Sequence, residues 1–322
     1  RWREPQPRAD AASRGPMMRV TFLGTAASRP TVGRNVSSIM LNREGELLMF
    51  DCGEGTQRQM MRYGTGFSVD DIFFTHLHAD HFLGLTGLLR TMALQDRTEP
   101  MRLWCPEGGT RILTDAVTLG VERSPFEVVI HEVSPGAVVE RSGYAIHAYR
   151  ARHGNRALGY ALIEPERLGR FDPDRARTLG VPEGPLFGRL HRGEDVEVDG
   201  RVVRAADLVG APRPGRRVVF TGDSRPTRET ADIARNADLL IHDATFGHDE
   251  AARAKETNHS TAREAAELAL RAGVARLALT HISARYAEDS RPLEREARAV
   301  FRDAIVAHDG LVIEVPFRDA PE

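Results

Sequence analysis

Cysteine, lysine and long apolar segments are all scarce in this chain of 322 residues. The two cysteines, Cys52 and Cys105, are too few for a disulfide framework and are typical of a reducing compartment, so we expect a cytoplasmic protein. The longest uncharged apolar stretches, such as residues 47–50 and 239–241, are far shorter than the ~20 residues that a membrane span requires. No apolar core of a secretory signal follows the first residues, and we therefore expect neither a membrane protein nor a disulfide-rich secreted one.

A strong excess of one charge is also lacking, since the net charge is −2 and the isoelectric point is about 6.7. The overall charge of the chain therefore gives no indication of nucleic-acid binding. Of the 44 basic residues only Lys255 is a lysine, and the rigid guanidinium fork of arginine suits bidentate contacts with phosphate. A general compositional bias is the simpler explanation, because Ala, Gly and Pro are abundant too, so the arginines alone support no function.

What the sequence does contain is an alternation of predicted strands and helices. Residues 1–16 carry no apolar period and are expected to be a disordered extension, which leaves residues 17–322 for the folded domain. In the first half, strands are predicted at 19–24, 38–41, 47–51, 71–75 and 101–105, and helices at 56–63, 82–92 and 109–119. Residues 127–163 are mostly β, and strands follow at 217–221, 238–242, 277–280 and 311–315, with helices at 227–235, 261–272 and 291–307. Two halves that both mix strands and helices predict an α/β protein in which two sheets pack together with helices outside.

One segment, residues 165–217, interrupts this alternation. It is rich in proline and glycine and carries 11 arginines against 9 acidic residues, a net charge of +2. Its length is unusual for a plain connection between two elements. It is either an insertion with a function of its own or a flexible excursion.

The strongest chemical signal is the segment Thr75-His-Leu-His-Ala-Asp-His81, which directly follows a predicted strand. Residues 76 and 78 leave the strand end on the same side, as a chelating pair requires, while Asp80 and His81 enter the next turn and can face a second ion. Zinc accepts nitrogen and oxygen ligands and can keep an open position for water. A surface histidine cluster is the alternative, and the density of metal-capable side chains argues against it.

A site for two metal ions needs more ligands than this loop supplies. His153, Asp223 and His281 are the candidates, because each follows a predicted apolar strand. Each of them taken singly has an ordinary explanation as a polar residue at a strand end. Their repeated placement at strand ends is what a metal site at a sheet edge requires.

These residues together resemble the metallo-β-lactamase superfamily, and further segments resemble one branch of it, ribonuclease Z, the tRNA 3′-end processing endonucleases. The histidine cluster alone specifies only the superfamily. The segments that narrow the resemblance are GRNVSS at 33–38, FDCGEGTQRQ at 50–59, FLGLTGLL at 82–89, HGNRALGY at 153–160, GPLFGRL at 184–190, FTGDSR at 220–225, NHST at 258–261 and LTHISARY at 279–286. The resemblance runs along most of residues 18–317.

The resemblance implies an αββα metallo-β-lactamase fold, in which 17–322 is the catalytic domain and about 165–217 a protruding, flexible arm. It implies two zinc ions per subunit, although manganese suits the same ligands. One ion is expected on His76, His78 and His153, the other on Asp80, His81 and His281, with Asp223 bridging both. Precursor tRNA and a second copy of the chain in a homodimer are the implied partners.

The implied reaction is hydrolysis of a phosphodiester bond that removes the 3′ trailer, leaving a 3′-hydroxyl on the tRNA and a 5′-phosphate on the trailer. Two zincs lower the pKa of a water between them toward ~7, and Asp80 is expected to orient that water and accept its proton. His259 is the candidate acid for the leaving oxygen, because its ordinary pKa of ~6.5 makes donation feasible near neutrality.

Asp243 is expected to orient His259. Where the family has His-Glu-Ala-Thr, this chain reads His-Asp-Ala-Thr at 242–245, so the carboxylate is shorter by one methylene. Alternatively, the His-Ser-Thr segment at 259–261 simply caps the next helix, since Ser and Thr are favoured N-caps. Both can hold together if His259 projects into the site.

RNA contacts are expected at three places. The loop with Arg34 and Asn35 and the start of the 261–272 helix would meet phosphates near the scissile bond. The arm would grip the tRNA away from the active site. The residues assigned to substrate are Arg34, Asn35, Gly184, Pro185, Ser260 and Thr261.

Two other classes of function compete with this one. The first is a metal-dependent hydrolase of small esters, such as a phosphodiesterase or arylsulfatase, which uses the same metal site. The second is a binding or regulatory protein with a vestigial metal site. The arm of about fifty residues argues against the first, and the complete set of ligand positions argues against the second.

Overall fold

A computed structural model describes residues 17–120 and 124–318, which divide into two compact units. The first, here called the core unit, comprises the described residues up to Leu162 together with Arg217–Pro316. The second, the insert unit, comprises Ile163–Arg216 together with Phe317 and Arg318. The extension predicted at 1–16 lies outside the described residues.

The strands and helices are as follows. The strands are β1 (Met18–Gly24), β2 (Ser38–Arg43), β3 (Glu46–Cys52), β4 (Val69–Phe73), β5 (Met101–Pro106), β6 (Val128–Val133), β7 (Val138–Arg141), β8 (Tyr144–Arg150), β9 (Leu158–Ile163), β10 (Val196–Val198), β11 (Arg201–Val203), β12 (Arg217–Phe220), β13 (Leu239–Asp243), β14 (Leu277–Thr280), β15 (Ala304–Val306) and β16 (Val312–Glu314). The helices are α1 (Thr56–Tyr63), α2 (Ala79–Phe82), α3 (Gly84–Leu94), α4 (Thr110–Thr118), α5 (Pro173–Thr178), α6 (Pro185–His191), α7 (Arg228–Ile233), α8 (Ala251–Glu256), α9 (Ala262–Ala272) and α10 (Arg291–Arg298).

The core unit contains two mixed sheets. In the first, the strand order is β16-β1-β2-β3-β4-β5-β6, with antiparallel pairing from β16 to β3 and parallel pairing from β3 to β6. In the second, the order is β15-β14-β13-β12-β9-β8-β7, and β12 to β15 run parallel. Parallel strands end at the same sheet edge, so the residues that follow them are brought together there.

Large aromatic side chains fill the space between the two sheets. Phe50 of β3 stacks on Phe220 of β12, with ring centroids 3.8 Å apart and planes 14° from parallel. Phe73 of β4 and Tyr160 of β9 contact Phe50 and each other. Burial of these rings removes a large apolar area from water, and this fixes the two sheets face to face.

Helices cover the outer faces of both sheets. Met60, Leu88 and Leu113, from α1, α3 and α4, are fully buried in the cluster on the first sheet. Helix α9 turns a face of small residues, such as Ala265 and Ala269, toward β13 and β14. The αββα sandwich predicted from the sequence is therefore confirmed.

One predicted element is wrong. The closing helix expected at 291–307 ends at Arg298, and Ala304–Val306 form β15, which pairs in parallel with β14. Ala304 and Val306 are buried whereas Ile305 is half-buried, an alternation of period two. Ile305 and Val306 are β-branched residues that suit a strand, and pairing with β14 at the edge of the second sheet stabilises that conformation.

The insert unit has a small core of its own. Helices α5 and α6 and the antiparallel hairpin β10–β11 surround it, so the segment is more regular than its proline and glycine content predicts. The buried residues are Ala176, Val181, Leu190, Val196, Val203, Ala205 and Leu208. The fully buried Arg216 forms a bidentate pair with Glu164, at 2.8 Å for Nε–Oε2 and for Nη2–Oε1, and its guanidinium lies 4.0 Å from the Phe317 ring centroid.

Across 17–120 and 124–318, no helix has the length and apolar character needed to cross a membrane.

Candidate active site

The predicted metal ligands all lie just beyond strand ends of the core unit. His76, His78, Asp80 and His81 follow β4, the last two within the short helix α2. His153 follows β8, Asp223 follows β12 and His281 follows β14. The fold therefore brings together every side chain that the sequence assigned to metal.

The first group consists of three imidazoles. Nε2 of His76 lies 3.1 Å from Nδ1 of His78, and Nε2 of His153 lies 3.3 Å from the same Nδ1. These nitrogens belong to a set whose ligand atoms all lie within 4.8 Å of one another. Their spacing lets three nitrogens face one ion.

The second group combines one carboxylate with two imidazoles. Oδ2 of Asp80 lies 3.3 Å from Nε2 of His281 and 3.5 Å from Nε2 of His81. The Ser28 amide also donates to this oxygen, at 2.8 Å. This group offers one oxygen and two nitrogens to a second ion.

Asp223 lies between the two groups and is only 3% exposed. Its Oδ2 lies 3.3 Å from Nε2 of His281 and 3.4 Å from Nε2 of His81, in the second group. The same oxygen lies 3.6 Å from Nε2 of His76 and 3.8 Å from Nε2 of His153, in the first. This is the position that a ligand shared by two ions requires.

Hydrogen bonds at Nδ1 leave Nε2 free in four of the five histidines. Nδ1 of His81 lies 2.8 Å from the Asp51 carboxylate and Nδ1 of His153 lies 3.2 Å from the Asn258 carbonyl oxygen. Because these oxygens only accept, each Nδ1 carries a hydrogen, and in the neutral ring, the form that binds metal, each Nε2 keeps its lone pair. The Thr75 and Thr245 hydroxyls, which donate to Asp51 and Asp243, accept from Nδ1 of His76 and His281 in the same way.

Two buried atoms of the centre have no hydrogen-bond partner, Nε2 of His81 and Oδ1 of Asp223. An unsatisfied buried polar atom is costly unless an ion or another group completes it. Free Nε2 lone pairs, a central carboxylate and these two atoms are a donor set that fits metal ions.

Burial and opposite charges shift the pKa values inside the centre in opposite directions. Burial, followed by the neighbouring His81, holds the pKa of His76 well below its usual value. Burial also opposes charge on His81, but the Asp223 and Asp51 carboxylates outweigh it and raise the pKa of His81 well above the usual value. Burial disfavours the Asp223 carboxylate, yet His281 and His81 hold its pKa well below the usual range. The centre therefore keeps its carboxylates ionised and attracts positive charge.

Asp51, which contacts the predicted ligand His81, was missed by the sequence reasoning. It is buried at the end of β3, with φ of +57°, and it accepts hydrogen bonds from the Thr75 amide and from Nδ1 of His81, both at 2.8 Å. A carboxylate behind a metal-binding histidine fixes the ring and makes it a better ligand. The sequence feature that could have identified Asp51 is its position in the segment 50–59, at the end of an apolar strand.

His259 and Asp243 form the predicted pair. Nδ1 of His259 lies 2.8 Å from Oδ2 of Asp243, so the shorter carboxylate reaches the ring. Burial lowers the pKa of His259, but Asp243 prevails and raises it to about 9. The His259 ring lies 4.7 Å from the ring of His153 and 5.1 Å from that of His281, at the margin of the metal-ligand cluster.

Ser260 and Thr261 are engaged within the protein. Thr261 is the N-cap of α9 and forms a capping box with Glu264, while the Ser260 hydroxyl donates to the Ser224 carbonyl. Helix capping by Thr261 and projection of His259 toward the site thus occur together. Contact of Ser260 and Thr261 with RNA stays a prediction.

Arg34 and Asn35 also bond within the core unit. Arg34 is 7% exposed, and its guanidinium donates to the Thr25 hydroxyl at 2.7 Å and to the Ala307 carbonyl. The Asn35 side chain donates to the Glu54 carbonyl at 2.8 Å. As placed, these side chains hold their loop, and their contact with phosphate stays a prediction.

Gly184 and Pro185 lie exposed at the start of α6 in the insert unit. Gly184 has φ of +133°, a conformation that side chains rarely adopt. Their contact with tRNA stays a prediction.

A groove of the core unit adjoins His259. Its lining includes the ring of Phe246 and three exposed arginines, Arg29, Arg253 and Arg285. The guanidinium carbons of Arg253 and Arg285 lie 5.9 and 6.0 Å from the Phe246 ring centroid. Phe246 is 5% exposed and packs beneath the groove, so the three exposed guanidinium groups are the part of it that suits phosphates.

Two separate segments of the chain match known domain families. Residues 18–165 match the family described as Anti-Pycsar protein Apyc1. Residues 193–282 match the family described as beta-lactamase superfamily domain.

Comparison with complete proteins identifies one family. The chain is 60% identical to ribonuclease Z of Gemmatimonas aurantiaca over 299 residues, which covers 92% of this chain and 95% of the relative. It is 54% identical to ribonuclease Z of Myxococcus xanthus, covering 94% of this chain and 99% of the relative. The crystal structure of human tRNase Z, short form, superposes with a TM-score of 0.68 at 28% identity, covering 93% of this chain and 100% of the human one. The chain therefore belongs to the ribonuclease Z family of tRNA 3′-processing endoribonucleases.

Proposed function

We propose that this chain hydrolyses one phosphodiester bond of precursor tRNA and releases the 3′ trailer, leaving a 3′-hydroxyl on the tRNA and a 5′-phosphate on the trailer. One observation carries the proposal. The His259–Asp243 pair, joined at 2.8 Å, stands beside a cluster of seven side chains whose donor atoms converge around Oδ2 of Asp223. A proton donor next to a cation site is what phosphodiester hydrolysis requires.

Two metal ions, which we propose to be zinc, would be held by the two ligand groups with Asp223 shared. Manganese suits the same donors. When bound, such ions supply a water of lowered pKa and neutralise charge that develops on the phosphate oxygens. The proposed ligands are His76, His78 and His153 in the first group, Asp80, His81 and His281 in the second, and Asp223 in both.

Asp80 would orient the attacking water and accept its proton. Its Oδ2 accepts a hydrogen bond from the Ser28 amide at 2.8 Å and lies 3.3 Å from Nε2 of His281. Burial disfavours the ionised form of Asp80, but the neighbouring His281 and His81 hold its pKa below the usual value. An ionised carboxylate of fixed direction can serve as the acceptor.

His259 would protonate the 3′-oxygen that leaves. With a pKa raised to about 9 by Asp243, which outweighs burial, the ring carries its proton at neutral pH. Its Nδ1 is occupied by Asp243, so Nε2 is the atom that donates.

Two features favour an RNA over a small ester as the substrate. The groove beside His259 offers three exposed arginines, more cationic groups than the phosphate of a small phosphodiester needs. The insert unit, with its own core, is a second candidate surface, and we propose that it binds the tRNA as an arm at a distance from the cleavage site. We further propose a homodimer that acts in the cytoplasm, where precursor tRNA is the substrate.

Incubation of the metal-loaded protein with a precursor tRNA that carries a 3′ trailer, followed by mapping of both product ends, tests the proposal. We expect a single cut, a 3′-hydroxyl on the tRNA and a 5′-phosphate on the trailer. Asp223→Ala is the matched inactive control. Turnover of a small phosphodiester with no cleavage of precursor tRNA would overturn the proposal in favour of a small-ester hydrolase.

A further inference from the structure

The Asp243 carboxylate joins three of the loops that build the site. Its Oδ2 accepts from Nδ1 of His259 at 2.8 Å and from the Ser224 amide, next to Asp223, at 3.1 Å. Its Oδ1 accepts from the amide and the hydroxyl of Thr245, at 2.9 and 2.7 Å. The contact with an amide two residues further on is an Asx turn, which a short acidic side chain forms readily.

The Thr245 hydroxyl makes a second contact, with Nδ1 of His281 at 2.9 Å. A hydroxyl has one hydrogen to donate, and the Asp243 carboxylate can only accept, so that hydrogen goes to Oδ1. Thr245 must then accept from the Nδ1 hydrogen of His281. The Nε2 lone pair of His281 consequently points to the centre, 3.3 Å from Oδ2 of both Asp80 and Asp223.

This link is shielded from water. Thr245 is 4% exposed, Asp243 is 0% exposed and His281 is 2% exposed. Water cannot easily replace a bond lost inside such a site, and the partner left behind stays unsatisfied. The His281 backbone has φ of +58°, which ordinary side chains seldom adopt, so other contacts must hold this residue in place.

We propose that Thr245 is a positioning residue that ties the metal ligand His281 to the carboxylate that holds the acid His259. One carboxylate, Asp243, thereby sets the direction of the acid through Oδ2 and the direction of a metal ligand through Oδ1 and Thr245. The inference rests on the proposed function in taking His281 as a ligand. It predicts that loss of the Thr245 hydroxyl weakens one of the two metal positions while the other keeps its affinity.

The test is a comparison of Thr245→Val, which keeps the shape and removes the hydroxyl, with Thr245→Ser, which keeps the hydroxyl. Thr230→Val is the control for replacing a buried threonine, since Thr230 is 0% exposed and contacts no predicted ligand. Metal-free proteins are titrated with Zn²⁺ against a chelator and with Co²⁺ under absorption spectroscopy. Thr245→Val should bind one of the two ions roughly 10–100-fold more weakly and change the Co²⁺ spectrum. Thr245→Ser and Thr230→Val should match the parent in both measurements.

Unchanged binding of two ions by a folded Thr245→Val protein would overturn the role of Thr245 and leave the metal centre intact. A parent protein that binds no ion would overturn the metal centre itself, and this inference with it. If Thr245→Val does not fold, Thr245→Ala is measured by the rise in melting temperature that saturating Zn²⁺ produces. That rise should be smaller than in the parent, and an equal rise contradicts the proposal.

Discussion

Asp51 Oδ2 lies 2.8 Å from Nδ1 of His81, a bond that joins the end of β3 to the loop after β4. The other oxygen of Asp51 accepts from the Thr75 amide at 2.8 Å. One buried carboxylate thus holds both ends of the segment that carries four of the predicted ligands. Its effect on the metal centre comes through His81, whose ring it orients.

Replacement of Asp51 by Ala should weaken metal binding, because His81 loses the partner that fixes its ring and tautomer. We expect a loss of roughly 10–100-fold in affinity, measured by competition with a chelator. Asp70→Ala is a suitable control, since Asp70 is an exposed residue of β4 that pairs with Arg97. Affinity at the parent level in Asp51→Ala would show that Asp51 does not support the centre.

Replacement of Asp223 by Ala should reduce the metal content and abolish turnover while the fold largely persists. The reason is that Oδ2 of Asp223 is within 3.8 Å of histidines from both ligand groups, so loss of this carboxylate disturbs both. Metal analysis and circular dichroism measure the two effects, with Asp232→Ala, on the exposed side of α7, as the control. Parent protein that is fully active with a single equivalent of metal would contradict the shared ligand.

Four of the seven predicted ligands could be predicted because their pattern is local. His76, His78, Asp80 and His81 are neighbours in sequence. Because they directly follow an apolar strand, they are predicted to lie together at one edge of a sheet. The resemblance to a known family then supplied His259 and Asp243, and the structure places them 2.8 Å apart.

The supporting residues were not predictable in this way. Asp51 precedes His81 by 30 residues, and only the parallel pairing of β3 with β4 brings the two together. Thr245 belongs to the motif at 242–245, but only the register of β13 against β14 shows that it lies beside His281. Strand β15 was missed for the same reason, since pairing with a distant strand leaves no local period.

Replacement of His259 by Ala should leave metal binding and RNA binding unchanged but slow cleavage by about 10²–10⁴-fold, the usual contribution of a general acid to the rate. The deficit should shrink on a nitrophenyl phosphodiester, because that leaving group departs without a proton. Single-turnover rates on both substrates measure the difference. An equal deficit on both would mean that His259 supports the structure rather than donating a proton.

The alkaline limb of the pH profile should depend on Asp243. Although burial opposes it, Asp243 raises the pKa of His259 to about 9, so the donating form is present at lower pH and is lost as the pH rises through that value. Asp243→Asn removes the negative charge, and the limb in kcat/KM should move down toward the ordinary histidine pKa of ~6.5. A nitrophenyl substrate should lack this limb in the parent protein. A limb that stays in place in Asp243→Asn would contradict the assignment of the acid.

Removal of the arm should separate RNA binding from the chemistry. No predicted metal ligand lies in Ile163–Arg216, and the backbones of Arg167 and Arg213 are hydrogen-bonded to each other at 2.8 and 2.9 Å. A short Gly/Ser linker can therefore replace residues 168–212 between two points that are already adjacent.

The protein without the arm should hydrolyse a small phosphodiester at nearly the parent rate. Cleavage of precursor tRNA should fall steeply, mainly through weaker binding, because the arm would supply contacts remote from the scissile phosphate. The affinity that remains should depend less on salt, since arginines of the arm would no longer displace counterions from the tRNA. Metal content and circular dichroism establish that the core unit is intact. If the shortened protein still processes precursor tRNA as the parent does, the arm is not the RNA-binding surface, and the small-ester function gains support.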